Sequence, residues 1–244
     1  MTQLTATQYR ELFKLRAEGK LESMECTKSL FKFLKPIYAD NMNILDIPCG
    51  LGHYFYVLKD LGNFKYYGVD LDSEAVLMAK DVWKNNPEVN FSVQDIKNLN
   101  FDDGFFDIAI CYNLILHLKE YKLPLKELFR VSKKYIFVRS LFDDQTSINT
   151  LKSSDDYKKV YSDLTYQYNT YSKEEMISYV KTLGNCNVTF FPDKVDVSND
   201  SLKKQAELLG TDVFEFAESK SDKKENFKGL ELNYELMLIE KLER

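Results

Sequence analysis

Five polar residues fall at or just beyond the ends of short apolar runs: Asp46, Asp70, Asp95, Asn113 and Arg139. A carboxylate in such a place accepts hydrogen bonds from the hydroxyls or amino groups of a polar ligand. Beside the first of them, residues 48–52 read PCGLG, and two glycines within three residues open backbone conformations closed to other residues. The sequence has two histidines, His53 directly after this turn and His117 after the fourth apolar run. With an ordinary pKa near 6.5, histidine suits general-base chemistry. For His117, in the leucine-rich LILHL segment, a structural role is the competing reading.

These residues need a scaffold that delivers them to one place. Residues 43–47 read as a strand buried on both faces, followed by the glycine turn and a helix with apolar Phe55, Val57, Leu58 and Leu61. Further strands are predicted at 64–69, 89–93, 106–112 and 134–138. Helices alternate with them at 73–84, where Ser73 is a good N-cap, and up to about 131. Two helices, 5–18 and 22–35, precede the first strand, and Pro36 stops the second. Residues 173–183 form a helix opened by the capping box Ser172–Glu175, and two more strands follow at 187–191 and 232–242. The expected fold is α/β: a seven-stranded, mostly parallel, doubly wound sheet with an antiparallel terminal hairpin, N-terminal helices and a lid-like insertion. In such sheets ligands bind outside the carboxyl ends of the strands, where the strand order switches. One domain is expected, with N-terminal helices over 1–40, a ligand-binding core over 41–140 and insertions at 141–172 and 195–229. The first insertion is rich in tyrosine and polar residues, as a substrate lid would be.

A dinucleotide fold wants a third small residue after the two glycines, so that helix and strand pack closely around a pyrophosphate. Phe55 stands there, which counts against NAD and FAD. The segments ILDIPCGLG (44–52), YYGVDLD (66–72), VQDIKNLNF (93–101) and FDIAICYNLILHLKE (106–120) resemble class I S-adenosylmethionine-dependent methyltransferases. The resemblance covers about residues 40–140, in order and with ordinary spacing. Pro48 departs from it, standing where the family often has a first glycine.

The resemblance implies S-adenosylmethionine as cofactor. Asp46, Pro48, Gly50 and Gly52 would shape the seat for its methionine part, and Asp70 would accept from both ribose hydroxyls. Leu71 would flank the adenine, Asp95 would accept from its amino group, and Ile96 would lie beside the ring. Asn113 would face the cofactor near its methyl group, with Tyr9, Phe13 and Arg16 closing over it. His117 is the candidate general base. His53, Tyr54, Arg139 and Tyr168 are candidate substrate contacts.

A net charge of −5 argues against a protein that lives on nucleic acid, because phosphate binding needs clustered cations. Residues 112–115 (YNLI) also lack the Pro-Pro motif that base N-methylation uses after the fourth strand. The four cysteines, Cys26, Cys49, Cys111 and Cys186, form no zinc-type pair and suit a reducing cytoplasm. No run approaches the length needed to span a bilayer, and no metal site is expected. The expected activity is methyl transfer to a small-molecule acceptor, with a hydroxyl oxygen favoured. An N-methyltransferase of a small amine or protein, and a cofactor-binding scaffold without turnover, are the alternatives.

Overall fold

The computed structural model describes residues 6–149, 167, 169–193 and 234–242. Its centre is one sheet of eight strands: β1 (Met42–Asp46), β2 (Phe64–Asp70), β3 (Val89–Val93), β4 (Phe106–Tyr112), β5 (Ser132–Asp143), β6 (Thr170–Ser172), β7 (Cys186–Pro192) and β8 (Tyr234–Lys241). The order is β3-β2-β1-β4-β5-β8-β7, with β6 attached to the far end of β5. All pairings are parallel except β5–β8 and β7–β8. The chain moves outward from β1 to β3 and then returns to place β4 on the other side of β1. The switch in strand order therefore lies between Asp46 and Tyr112.

Two sequence expectations change. The sheet has eight strands rather than seven, because residues 170–172 pair with Leu141–Asp143. The expected insertion at 141–172 thus begins and ends in the sheet: Leu141, Phe142 and Tyr171 are buried in it. Its middle, apart from Gln167, and the 195–229 insertion lie outside the described residues. The strand expected over 134–138 runs from Ser132 to Asp143, because the apolar run continues through Leu141 and Phe142 on the far side of Arg139.

Strand register decides which side chains share a face. Asp46 pairs with Gly68 and with Ile110, Tyr112 with Arg139, and Arg139 with Leu236. With a period of two, Asp46, Tyr66, Asp70, Tyr112 and Arg139 all point to the same side. On that side lie α1 (Ala6–Ala17), α2 (Glu25–Leu34), α3 (His53–Leu58) and α4 (Ser73–Val82). Helix α2 buries Cys26, Leu30 and Leu34, spaced four apart, against the sheet. Burying a leucine completely contributes roughly 1.5–3 kcal/mol. Helix α4 is capped by Asp72, not by the expected Ser73: its Oδ1 accepts from the Glu74 and Ala75 N–H groups. The opposite face carries α5 (Lys122–Val131) and α6 (Lys173–Leu183), the latter capped by Ser172 as its sequence predicts. Among the described residues, no helix is long and apolar enough to cross a membrane.

Candidate functional site

The glycine turn joins β1 to α3. Gly50 and Gly52 both have left-handed backbones, with φ of +50° and +73°. Their surroundings differ. A Cβ on Gly52 would stand 2.7 Å from the Phe91 ring and 2.9 Å from Trp83 Nε1, so this glycine is needed for packing. Trp83 Nε1 also donates to the Leu51 carbonyl and fixes the turn from below. A Cβ on Gly50 would meet only His53 Nδ1, at 4.0 Å, so Gly50 faces open space. Phe55 fills the gap between α3 and the sheet, meeting Trp83, Tyr66 and Phe64 edge-on or tilted. An aromatic ring thus stands between helix and sheet at the position where a third small residue would allow close approach.

Asp70 is bound to this turn. Its Oδ2 accepts from Gly50 N–H at 2.8 Å and its Oδ1 from Asp72 N–H at 3.0 Å. Burial raises its pKa, and the backbone donors from Asp72, Gly50 and Leu71 oppose the rise. Each oxygen keeps a lone pair for a further donor. Leu71 beside it is 54% exposed. On β1, Asp46 is completely buried: Oδ2 accepts from the Tyr66 hydroxyl, and Oδ1 has no partner among the described residues. Burial pushes Asp46 up to about 8, with the Tyr66 hydrogen bond pulling the other way. Asp95 caps its own turn by accepting from Lys97 N–H, and Ile96 is buried with Ile47 and Val69.

Helix α1 lies across this corner. Arg10 donates through Nε and Nη2 to Asp72 Oδ2, at 3.0 and 2.8 Å, and pairs with Glu74. Phe13 stacks on the His53 ring at 4.7 Å, and His53 in turn meets Tyr54. Both nitrogens of His53 are buried without a partner among the described residues, and burial together with Arg16 holds its pKa down to about 3. Its surroundings therefore favour the neutral imidazole.

Further along the rim a second cluster forms around Arg139, which is 3% exposed. Its Nε donates to Asp193 and its Nη1 to Asn113 Oδ1, and the guanidinium lies 3.9 Å over the Tyr234 ring. Asn113 holds a left-handed backbone, with φ of +58°, to reach it. Tyr54 and Tyr112 meet edge-on at 5.7 Å on the same side. His117 sits in the 3-10 turn Ile115–His117, with Nδ1 2.7 Å from the Gln167 carbonyl. Tyr171 and Asn169 fasten that turn by donating to the Ile115 and Leu118 carbonyls.

The structure thus brings Asp46, Gly50, Gly52 and Asp70 together at the glycine turn, and joins Asn113 to Arg139, with Tyr54 near them. Pro48, Leu71, Asp95 and Ile96 follow in the adjoining turns, and His117 stands on the wall made with Gln167. Tyr168 lies outside the described residues. Sequence reasoning missed Tyr66, Asp72, Cys26, Tyr112 and Asp193 as members of the site. Tyr66 had a signal, being in phase with Asp70 on one strand. Asp193 had none, since its partner is 54 positions away.

Residues 44–135 match a family described as a methyltransferase domain. Those residues, under half of the chain, are thus similar to a methyltransferase domain, and the sheet, with its antiparallel last strand inserted beside β5, has the fold of the solved methyltransferases it resembles. The domain is 33% identical over 94 residues to the norajmaline N-methyltransferase of Rauvolfia serpentina, covering 37% of this chain and 32% of that one. The chain spans about a third of the length of the first curated relatives it matches. Among solved structures, the phosphoethanolamine N-methyltransferase 2 of Haemonchus contortus with S-adenosylmethionine superposes with a TM-score of 0.61 at 16% identity, over 84% of this chain and 50% of that one. The 1,6-didemethyltoxoflavin N1-methyltransferase of Burkholderia thailandensis, with S-adenosylhomocysteine, gives 0.58 at 12%, over 89% and 78%. The glycine turn has features that fit such a cofactor: open space at Gly50, spare acceptor capacity on Asp70 and a buried Asp46 oxygen without a partner among the described residues.

Proposed function

We propose that this protein transfers a methyl group from S-adenosylmethionine to a small-molecule acceptor. The observation that carries the reading is the Asp70 carboxylate bound to Gly50 N–H beside an open glycine seat. Asp70 would hold the ribose hydroxyls, with Leu71 against the adenine and Asp95 accepting from its amino group. The Gly50–Gly52 turn and Asp46 would face the methionine part. When bound, the cofactor supplies an activated sulfonium methyl for in-line displacement. The chain's own task is to bind, to orient the acceptor and to exclude water.

We infer a hydroxyl acceptor with His117 as general base. The Gln167 carbonyl can only accept, so it favours the tautomer with hydrogen on Nδ1 and the lone pair on Nε2. Replacing His117 by Ala should lower turnover about 10²- to 10⁴-fold with little change in cofactor affinity. Unchanged turnover would remove His117 from the mechanism. An amine acceptor is the second reading, favoured by the N-methyltransferases among the similar proteins.

Calorimetry with S-adenosylhomocysteine and with NAD tests the central reading. Binding of the first alone is the expected result. Binding of NAD alone would overturn it.

A further inference from the structure

The contacts on both sides of His117 lead to one residue, Asn169. The carbonyls that flank His117 in the chain, those of Leu116 and Leu118, both accept from it: the first from its backbone N–H at 2.7 Å, the second from its Nδ2 at 2.6 Å. Nδ2 also donates to Gln167 Oε1 at 3.2 Å, and the backbone carbonyl of that same Gln167 meets the imidazole Nδ1 at 2.7 Å. Asn169 is completely buried and Gln167 is buried beside it. The other side of Asn169 is tied to the sheet. Its Oδ1 accepts from Asn149 N–H at 3.2 Å. The next residue, Thr170, exchanges two backbone hydrogen bonds with Ser147 and opens β6, which pairs with the end of β5. One amide thus fastens the His117 turn to a segment that the sheet itself holds in place.

A buried amide costs free energy unless its donors and its acceptor are met. Here the backbone N–H, Nδ2 and Oδ1 are all met, and two of the partners bracket a single residue. The consequence falls on the ring. Which imidazole nitrogen carries the hydrogen is set by the hydrogen bond that the other ring atom makes. A base in the wrong tautomer presents a hydrogen where a lone pair is needed. The Gln167 carbonyl sets the tautomer only while it stays against Nδ1. Asn169 holds both ends of that contact, the backbone around His117 and the side chain of Gln167.

We propose that Asn169 is a positioning residue for His117: by gripping the Leu116 and Leu118 carbonyls together with Gln167, it keeps the Gln167 carbonyl on Nδ1 and so reserves the Nε2 lone pair for the acceptor's proton. This rests on the reading of His117 as general base and deepens it by naming what fixes the base in its working form.

The test is long-range proton–nitrogen NMR of the imidazole rings in the full chain labelled with ¹⁵N-histidine, which needs neither cofactor nor acceptor. The chain has two histidines, and the signals lost in His117→Ala identify that ring. The expected result is a hydrogen on Nδ1 of His117 in the unmodified chain, with the ratio of the two tautomers shifted about fivefold or more toward Nε2–H in Asn169→Ala, the scale of one lost hydrogen bond. The His53 signals should stay in place and so report an intact fold. A hydrogen on Nε2 in the unmodified chain overturns the proposal, and so does an unchanged ratio in folded Asn169→Ala. If that variant does not fold, hydrogen exchange in the unmodified chain decides. The Asn169 N–H and the His117 Nδ1–H should then be protected to within about tenfold of each other, as members of one opening unit are. A larger gap would separate the ring from Asn169 and overturn the proposal. Turnover of His117→Ala tests the base reading separately, since the tautomer is read without any reaction.

Discussion

The two halves of the rim are built in opposite ways. The half over β1 and β2 comes mainly from one continuous stretch, Asp46 to Trp83, closed by hydrogen bonds such as Gly50 N–H to Asp70 and Trp83 Nε1–H to the Leu51 carbonyl. The half over β4 and β5 is assembled from α1, α2, α3, β4, β5 and the ends of β7 and β8. Its central side chain, Arg139, reaches Asn113, Asp193 and Tyr234. A local half can be specified by a motif. A distributed half exists only when the whole sheet is in register.

This contrast sets the order of expected effects. The largest falls on the distributed half. Asp193→Ala leaves the Arg139 guanidinium buried without its carboxylate and should cost about 3–5 kcal/mol of stability in denaturant melts. A loss below about 1 kcal/mol would mean that this pair does not hold the corner. Next comes Gly52→Ala in the local half, with a left-handed backbone and a 2.7 Å clash with Phe91, expected to cost about 2–4 kcal/mol. Gly50→Ala, facing open space, should cost about 1 kcal/mol and act instead on cofactor affinity. Equal melts for the two variants would break the distinction between packing glycine and seat glycine. Asp70→Ala should weaken S-adenosylhomocysteine binding by about 1.5–3 kcal/mol, roughly 10- to 150-fold by calorimetry. Full affinity in that variant would remove the ribose contact from Asp70.

A separate effect is a pH slope. The Asp46 carboxyl is raised to about 8 by burial, against an unfolded value of 3.8. The folded state keeps a proton that the unfolded chain has released, so stability should fall as pH rises from about 4 to 8. The slope has a ceiling of about 1.4 kcal/mol per pH unit for one proton. Asp46→Asn should flatten that part of the profile while leaving an oxygen for Tyr66. A profile that stays steep would assign the slope to other groups.

The same contrast explains what the sequence made readable. Asp46, Gly50, Gly52 and Asp70 announce themselves because strand, turn and cap are consecutive, and local patterns carry that information. Phe55 was equally informative: its ring stands where a close-packed glycine would be needed, and in the structure it packs edge-on against Trp83 between helix and sheet. Residues 170–172 escaped as a strand because three residues carry no measurable alternation. Asp72 displaced Ser73 as the cap because its carboxylate reaches two backbone donors while also meeting Arg10, a contact made across 62 positions. Arg139 was visible as a polar residue interrupting a strand, but Asp193 and Cys26 around it were not. Nothing near them in the chain distinguishes a partner from a turn or a core thiol.

Strand β8 lies between β5 and β7, pairing Arg139 with Leu236 on one side and Phe191 with Leu236 on the other. During synthesis, β7 emerges before β8 and lacks its native partner strand until residues 234–241 arrive. Until then β5 presents a long open edge with a charged arginine partway along it, which discourages pairing with another chain. Closure joins segments about a hundred residues apart, the kind of contact that slows folding. The glycine seat needs none of this, because β1, β2 and β4 surround it early. A nascent chain should therefore complete its glycine seat well before the corner around Arg139 is assembled.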